Sequence, residues 1–154
     1  MMLIRPMRMF DIAAVCKLAA DNYPKNYLGS EEALASKITG YMRGCFVAEI
    51  AGEIVGYIIS GPGIIGQYSE RDEFYTPPSN ADCLYIHELC IKLGYRDRRV
   101  GSKLFTRVLD FEWWPKICLV AFMSAGGWWR QFGFRHVCSV EYCDTVAEYM
   151  RLDR

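Results

Sequence analysis

Apolar residues near the start of the chain follow the spacing of a short strand and then of a helix. The segment LIRPMRMFDIAAVCKLAADNYP predicts a strand, a turn and a helix in that order. The Tyr23–Pro24 pair ends this helix, because proline cannot continue the backbone hydrogen bonding. The positions that share the apolar face of the helix are Ile12, Val15, Cys16 and Ala19.

A second helix is predicted to begin after Ser30, which is a favourable N-cap residue. Glu31 and Glu32 follow in the first turn, where negative charge interacts favourably with the helix dipole. The stripe of Leu34, Ile38 and Met42 supports a helix that runs as far as Gly44.

The middle of the chain predicts a hairpin and then an irregular insertion. CFVAEIAGEIVGYIIS contains two β-branched, aromatic-rich runs around Ala51–Gly52, a hairpin signal. Residues 61–81 are rich in glycine and proline and are predicted to be irregular. An insertion of about twenty residues in a compact domain usually has a function.

The second half alternates strands and helices. CLYIHELCI predicts a strand, VGSKLFTRVLDFEWW an amphipathic helix and ICLVAFM a buried strand. AGGWWRQFGF predicts a short helix that ends at Gly133, and a final pair of strands follows. The order β-α-α-β-β-β-α-β-α-β-β indicates a mixed α/β (α+β) fold, and its sheet is too antiparallel for a Rossmann fold. Residues 1–154 are predicted to form a single domain.

Composition excludes several classes of protein. The chain of 154 residues is 52% apolar and 23% charged, with a formal net charge of zero. We therefore expect no nucleic-acid or membrane-surface partner, since such proteins usually carry a basic excess. Seven cysteines form no C-x-x-C pair and the chain has no signal-like start, so we expect a cytoplasmic protein without a bound metal.

Charge is nevertheless distributed unevenly. Residues 92–107 contain six basic residues and one acid, whereas residues 67–88 contain five acids and a single base, Arg71. Neighbouring regions of opposite sign suggest two ligands of opposite sign. The alternative is that both clusters are solvated surface.

The basic cluster falls where a strand gives way to a helix, in IKLGYRDRRVGSKLF. The first N–H groups of a helix have no partner within the helix, and the helix dipole adds about half a positive charge there. This arrangement can bind a phosphate group. A basic helix start that merely faces solvent is the alternative.

The segment LCIKLGYRDRRVGSKLF resembles motif A of the GNAT superfamily of acetyl-CoA-dependent N-acetyltransferases, L-x-V-x-x-x-Y-R-G-x-G-I-G-x-x-L. The resemblance implies a GNAT-like fold, with a splayed, mostly antiparallel sheet flanked by helices, and a loop that binds the pyrophosphate of coenzyme A. The family usually has glycine where Asp97 and Arg99 stand, and an arginine fits there if its φ is negative. The implied cofactor-binding residues of this segment are Leu89, Cys90, Ile91, Arg96, Asp97, Arg98, Arg99, Val100, Gly101 and Ser102.

The segment AGGWWRQFGF resembles a second signature of the family, A-x-x-F-Y-x-K-x-G-F, which implies that Ala125 and Trp128 flank the pantetheine arm. Many members use the tyrosine of this signature to protonate the leaving thiolate. Trp129 replaces it here, and an indole N–H is not an acid at neutral pH. Water, Tyr142 or another group would have to supply the proton.

Catalytic residues are expected on the strand beside the pantetheine, where YIHELCI offers His87 and Glu88. In an ideal strand these two side chains point to opposite faces. His87 is favoured as general base because its ordinary pKa suits neutral pH; the family resemblance places a glutamate or histidine base at this position. The alternatives are Glu88 as base and a structural role for His87.

Further groups are expected to bind the acceptor or the reaction intermediate. Glu88 can pair with the substrate ammonium, Tyr85 shares a face with His87, and Glu31 and Glu73 would extend a negative field. The resemblance implies that the N–H group of Ile91, freed by a strand bulge, donates to the oxyanion.

These residues predict an enzyme that transfers an acetyl group from acetyl-CoA to a small cationic amine, such as a polyamine or an arylalkylamine. A peptide or protein acceptor and a non-catalytic CoA-binding module are the alternatives. Both a monomer and a homodimer are compatible with the sequence.

Overall fold

The computed structural model describes residues 1–154 and contains seven strands and four α-helices in the predicted order. Helices α1 and α2 follow the first strand, and α3 and α4 flank the fifth. The bounds are β1 Met2–Pro6, α1 Ile12–Asn22, α2 Glu31–Gly40, β2 Cys45–Ile50, β3 Glu53–Gly63, β4 Cys83–Ile91, α3 Val100–Phe111, β5 Lys116–Ala121, α4 Gly126–Arg130, β6 Arg135–Tyr142 and β7 Thr145–Asp153.

All seven strands belong to one sheet, in the order β1-β2-β3-β4-β5-β7-β6. Every neighbouring pair is antiparallel except β4 and β5, which confirms the predicted mixed, mostly antiparallel sheet. The parallel pair is short, because only Leu84–Ile86 of β4 pairs with Ile117–Leu119 of β5. Beyond Ile86 the two strands diverge and open a cleft in the middle of the sheet.

The two faces of the sheet are covered by different helices. Leu104 and Phe105 of α3 pack with Phe46 and Met150 in the larger apolar cluster. On the other face, residues of α1 and α2 such as Val15 and Ile38 pack against β2 and β3 in a second cluster. The sheet is therefore buried on both sides around the cleft.

Local sequence signals account for several boundaries. The two-residue turn Ala51–Gly52 has positive φ at both positions, as the predicted hairpin requires. Ser30 caps α2, since its hydroxyl accepts a hydrogen bond from the Ala33 N–H. No helix of the chain combines the length and apolar character needed to cross a membrane.

Among the predicted boundaries that were wrong, helix α3 ends at Phe111 instead of running to Trp114, and two others involve Tyr75. Helix α2 ends at Gly40, where a side chain would lie 2.7 Å from the Tyr75 ring, and a 3-10 turn covers Met42–Gly44. Strand β3 continues through Gly63, because residues 60–63 pair with the start of β4. The Tyr75 hydroxyl donates to the Pro62 carbonyl and would lie 2.5 Å from a side chain at Gly61, so glycine allows the strand to pass beneath this ring.

Candidate active site

The divergence of β4 and β5 creates a cleft of about 390 Å³. Its walls are residues 86–91 of β4 and the end of β5, and the beginnings of α3 and α4 lie at its mouth. Most of the predicted cofactor-binding residues line it: Leu89, Cys90, Ile91, Arg96, Arg99, Gly101, Ser102, Ala125 and Trp128. Two separate sequence motifs therefore meet at one cavity.

The beginning of α3 presents unpaired backbone donors to this cleft. The Lys103 N–H donates to the Arg99 carbonyl at 3.1 Å as the first hydrogen bond of the helix. The N–H groups from Arg99 to Ser102 have no acceptor within the protein. Together with the helix dipole and the charges of Arg96 and Arg99, they form a site for an anion.

Arg99 adopts a left-handed backbone conformation, with φ of 59°. The condition derived from the sequence, that an arginine fits here if its φ is negative, is therefore not met. A non-glycine residue in this conformation costs about 1–2 kcal/mol. The chain thus keeps the backbone geometry that glycine would supply and adds a guanidinium to the cleft.

Three residues of the predicted cofactor set do not line the cleft. Asp97 is exposed, and Arg98 stacks on the Tyr95 ring at 4.7 Å instead of turning inward. Val100 is fully buried in the core beneath α3. Of these three, Val100 can contribute through its unpaired N–H group, not through its side chain.

The two adjacent tryptophans have different environments. Trp129 is buried, packs edge-on against Phe105 and Phe134, and is a core residue. Trp128 is 36% exposed and lies over Gly101, where an added side chain would meet its ring at 3.0 Å. Tyr142 is outside the cleft lining, and burial raises its pKa, so it is not a neutral-pH acid for the thiolate.

A β-bulge in β4 changes the predicted orientation of the catalytic candidates. Glu88 pairs with Ile59 of β3, whereas Ile86 pairs with Ser60, so His87 is the extra residue. Both His87 and Glu88 consequently lie on the side of the sheet covered by α1 and α2. The expectation that they point to opposite faces holds for a regular strand and was wrong for this bulged one.

His87 is poorly placed for proton transfer in this conformation. Its ring lies edge-on between Tyr75 and Tyr85, at 4.5 and 5.1 Å between ring centroids. The residue borders the cleft and is partly exposed, but both ring nitrogens are buried and lack a hydrogen-bond partner. Burial, reinforced by the positive charges of Lys37 and Arg71, lowers the pKa of His87 to about 3. The imidazole is therefore neutral and a weak base at pH 7.

Glu88 forms a buried ion pair with Arg71. Arg71 Nη1 lies 2.6 Å from Glu88 Oε2, and the Tyr57 hydroxyl donates to Glu88 Oε1 at 2.7 Å. The rings of Tyr23 and Phe122, whose centroids are 6.1 Å apart, lie on neighbouring sides of the guanidinium, at 4.5 and 4.9 Å from its central carbon. Sequence reasoning did not assign Arg71 to the site, although it is the single base in an acidic segment.

The carboxylates expected to form a negative field are not in the cleft. Asp72 accepts from the Ser30 N–H, and Glu73 accepts from the Glu70 N–H, so both acids organise the loop itself. Glu31 is exposed in the first turn of α2, and neither it nor Glu73 lines the cleft. Tyr85 packs in a small buried cluster beneath His87 and also lies outside the lining. The charge that this loop brings to the cleft is positive.

The segment 64–82, which we call the insertion loop, is tied on one side to α2 and on the other to strands β6 and β7. Lys37 Nζ of α2 donates to the carbonyls of Glu70 and Arg71 at 3.2 and 3.0 Å. On the other side, the Glu70 carboxylate accepts from the Cys143 N–H in the β6–β7 turn. Farther along the same two strands, the Tyr68 hydroxyl donates to the Glu141 carbonyl, and the Gly66 N–H donates to the Tyr149 hydroxyl. The loop therefore closes the cleft between α2 and the last two strands.

Backbone N–H groups of β4 face the cleft at Leu89 and Ile91. The Lys92 N–H donates to Val55 of β3, so by alternation the N–H groups of Leu89 and Ile91 point away from β3. The Tyr23 hydroxyl donates to the Leu89 carbonyl at 2.9 Å from that side, as the alternation requires. Strand divergence, not the bulge at His87, leaves the Ile91 N–H open.

Comparisons with known proteins agree with this geometry. Residues 12–113 match the model of the acetyltransferase (GNAT) family. No curated protein sequence matches the chain significantly.

Solved structures share the fold over nearly their whole length. The GphF GNAT-like decarboxylase in complex with isobutyryl-CoA is 19% identical, with 98% of each chain covered and a TM-score of 0.82. The loading GNATL domain of CurA from Lyngbya majuscula is 13% identical, with 99% of this chain and 98% of that domain covered and a TM-score of 0.83. Arabidopsis thaliana Naa50 in complex with the bisubstrate analogue CoA-Ac-MVNAL is 18% identical, with 99% of each chain covered and a TM-score of 0.76. At these identities the likeness concerns the fold.

Proposed function

Because the chain belongs to the acetyltransferase (GNAT) family and is therefore an acyltransferase, we propose that it transfers the acetyl group of acetyl-CoA to the amine of a small acceptor enclosed in the cleft. One observation carries this proposal. The unpaired N–H groups at the beginning of α3 lie at the mouth of the cleft between β4 and β5. A phosphate-bearing cosubstrate can bind at that end while its acyl group reaches the bulge.

The donor is assigned to the wall of β4. The pyrophosphate of acetyl-CoA binds the N–H groups from Arg99 to Ser102, and the guanidinium of Arg96 supplies further positive charge. The pantetheine arm then runs past Leu89 and Trp128. The N–H groups of Leu89 and Ile91 can donate to the thioester oxygen as it gains negative charge.

The reaction is a direct acyl transfer. The amine nitrogen forms a bond to the thioester carbon, the carbon–sulfur bond breaks, and the proton lost by the amine passes to water, which in turn protonates the departing thiolate. Glu88 keeps lone pairs beyond its bonds to Tyr57 and Arg71, and we assign it to the substrate amine. Water protonates the thiolate, since the indole N–H of Trp129 is not an acid at neutral pH and Tyr142 is outside the cleft lining.

The insertion loop supports a small acceptor. A peptide entering between α2 and the β6–β7 turn would have to displace the bonds of Lys37 and Glu70 described above. A polyamine has less support than a monoamine, because Arg71 neutralises Glu88 and the other loop acids are outside the lining. The arylalkylamine class remains compatible with a cleft lined mostly by apolar residues.

A second candidate function is turnover of a carboxyacyl-CoA, such as malonyl-CoA. One of the structural neighbours is described as a GNAT-like decarboxylase, and Arg71 places a cation at the acyl end of the cleft. In that reaction the carbon–carbon bond breaks, carbon dioxide leaves and the remaining carbanion takes a proton from water.

The test combines binding with a panel of acceptors. Calorimetry should detect acetyl-CoA binding, and incubation with small amines, amino acids and short peptides should release free thiol together with an acetylated small product. Transfer to a peptide N-terminus but to no small molecule would overturn the assignment of a small acceptor. Absence of acetyl-CoA binding would overturn the proposal as a whole.

A further inference from the structure

We infer that the unoccupied edge of the Arg71 guanidinium binds a carboxylate of the substrate. This inference rests on the proposed function and specifies which substrates the enzyme accepts. It assigns a role to the one strongly basic side chain at the acceptor end of the cleft.

The guanidinium of Arg71 is only partly engaged by the protein. Nη1 is paired with Glu88, whereas Nε and Nη2 are buried and have no hydrogen-bond partner. The rings of Tyr23 and Phe122 pack on neighbouring sides of the group. Because Arg71 lines the cleft, the edge formed by Nε and Nη2 is the part of the guanidinium that still lacks an acceptor there.

That edge matches a carboxylate. The N–H groups of Nε and Nη2 are parallel and form the fork that binds the two oxygens of a carboxylate in bidentate fashion. Buried donors without an acceptor are unfavourable, and native proteins rarely leave them so. A carboxylate from a substrate would satisfy both donors at once.

The backbone beneath Arg71 is held in place. Lys37 donates to the Arg71 carbonyl, and Gly29 packs so closely against that carbonyl that a side chain at position 29 would collide with it. Because the side chain packs against two rings and is paired with Glu88, the fork does not have to be ordered when the substrate binds.

The pair of charges suits a substrate that carries both signs. Glu88 faces the amine, and Arg71 lies 2.6 Å away on the same side of the sheet. A free amino acid carries both an amine and a carboxylate, whereas the corresponding decarboxylated amine lacks the second group. A carboxylate on the acyl group of the donor would present the same chemistry to Arg71.

Matched substrates distinguish these sources in the unmodified protein. Free phenylalanine is compared with phenethylamine, and ornithine with putrescine, using acetyl-CoA as donor and kcat/KM as the measure. Malonyl-CoA is compared with acetyl-CoA by calorimetry. We expect the carboxylate-bearing member of at least one set to be preferred at least tenfold, and the preferred set identifies which reactant carries the carboxylate.

Variants then test whether Arg71 is responsible. Arg71→Met alone leaves Glu88 buried without a partner and risks unfolding, so the main variant is Arg71→Met with Glu88→Gln. Its CoA binding and folding are checked first. Because Glu88 is itself assigned to the amine, the preference of this variant is measured as binding by calorimetry, and its affinity ratio for malonyl-CoA over acetyl-CoA, or for the carboxylate-bearing over the decarboxylated acceptor, should fall to within about twofold of unity. Arg71→Lys keeps the charge but loses the fork, and should retain only part of the preference. Arg98→Met is the control and should keep the full preference for the carboxylate-bearing substrate, because Arg98 stacks on Tyr95 outside the cleft lining.

The outcomes separate this inference from the proposed function. If the protein acetylates amines with no preference in any matched set, the carboxylate site is wrong and the acyltransferase proposal stands. If the double variant retains the preference for the carboxylate-bearing substrate, the role assigned to Arg71 is also wrong. If acetyl-CoA does not bind, the proposed function itself fails.

Discussion

Arg71 and Glu88 form an ion pair at 2.6 Å in which each side chain is only 4% exposed. The pair joins the insertion loop to the bulged strand that holds the catalytic candidates. The Tyr57 hydroxyl and the rings of Tyr23 and Phe122 surround it. The desolvated charges are thus compensated by each other and by one further hydrogen bond.

Removal of one partner should destabilise the protein more than removal of both. Arg71→Met leaves an unpaired buried carboxylate, for which a loss of about 3–5 kcal/mol is typical. The double variant Arg71→Met with Glu88→Gln should be more stable than Arg71→Met alone, as measured by urea unfolding. Lys17→Met breaks the exposed pair with Asp21 and should change stability by less than about 1 kcal/mol. Additive losses in the double variant would contradict the coupling.

His87 should remain neutral throughout the physiological range. Because its pKa is lowered to about 3, the NMR signals of its ring should not titrate between pH 5 and 8. The pH profile of kcat should likewise show no ionisation near pH 6.5 that disappears in His87→Gln. The chain contains only two histidines, and exposed His136 on β6 supplies the comparison signal. Titration of the His87 ring near pH 6.5 would restore it as general base.

The same shift makes stability depend on pH. The folded state holds His87 neutral, whereas the unfolded chain protonates it near pH 6.5. The folded state is therefore at its most stable, as far as His87 is concerned, above that pH, and it loses stability as pH falls toward 3. Between pH 7.5 and pH 5 the free energy of unfolding should fall by about 2 kcal/mol on this account. His87→Gln should show a correspondingly smaller fall, measured by urea unfolding at both pH values. Equal falls in the two proteins would show that other groups are responsible.

Substitution of Arg99 by glycine should separate backbone strain from ligand binding. Glycine relieves a left-handed cost of about 1–2 kcal/mol but adds an unfolded-state entropy cost of about 0.4–1 kcal/mol, so Arg99→Gly should be about 0–1.6 kcal/mol more stable. It should nevertheless bind CoA several-fold more weakly at low salt, because the cleft loses a positive charge. Arg98→Ala should leave CoA affinity within about twofold. Weaker binding in Arg98→Ala than in Arg99→Gly would reverse these assignments.

Crowding at Gly101 should impair use of the donor. Its position beneath the Trp128 ring leaves no room for a branched side chain, so Gly101→Val should raise the KM for acetyl-CoA at least tenfold. Gly127→Ala is the matched control in α4, since a side chain there would meet no atom within 4 Å. Equal KM values in Gly101→Val and the unmodified enzyme would show that this part of the cleft does not bind CoA.

Lys37 should hold the insertion loop closed. Lys37→Met removes the donors to the Glu70 and Arg71 carbonyls and should increase trypsin cleavage after Arg71 several-fold, measured by mass spectrometry of the fragments. Lys17→Met, on the exposed surface of α1, is the control and should be cleaved at the unmodified rate. If both variants resist cleavage equally, the bonds of Lys37 are not what closes the loop.

The insertion loop shows where inference from sequence ended. Its length and composition indicated a functional segment, and the single base among five acids was visible. The acids suggested a negative field, yet Asp72 and Glu73 accept backbone hydrogen bonds and Arg71 enters the cleft. Composition shows which charged residues a loop contains. Which of their side chains point into the cleft depends on the hydrogen-bond partners that each finds after folding.

The sequence by itself determined the order of the elements and the end of the cleft to which we assign the phosphates. Helical and alternating periodicities, the Ala51–Gly52 turn and the Ser30 cap are local signals, and residues 96–102 are adjacent in the chain, so neighbours along the chain suffice to predict them. Only the tertiary structure decided the acceptor end. The bulge at His87 exists through pairing with β3, and Arg71 meets Glu88 across a loop, because strand register and burial depend on contacts between residues distant in sequence.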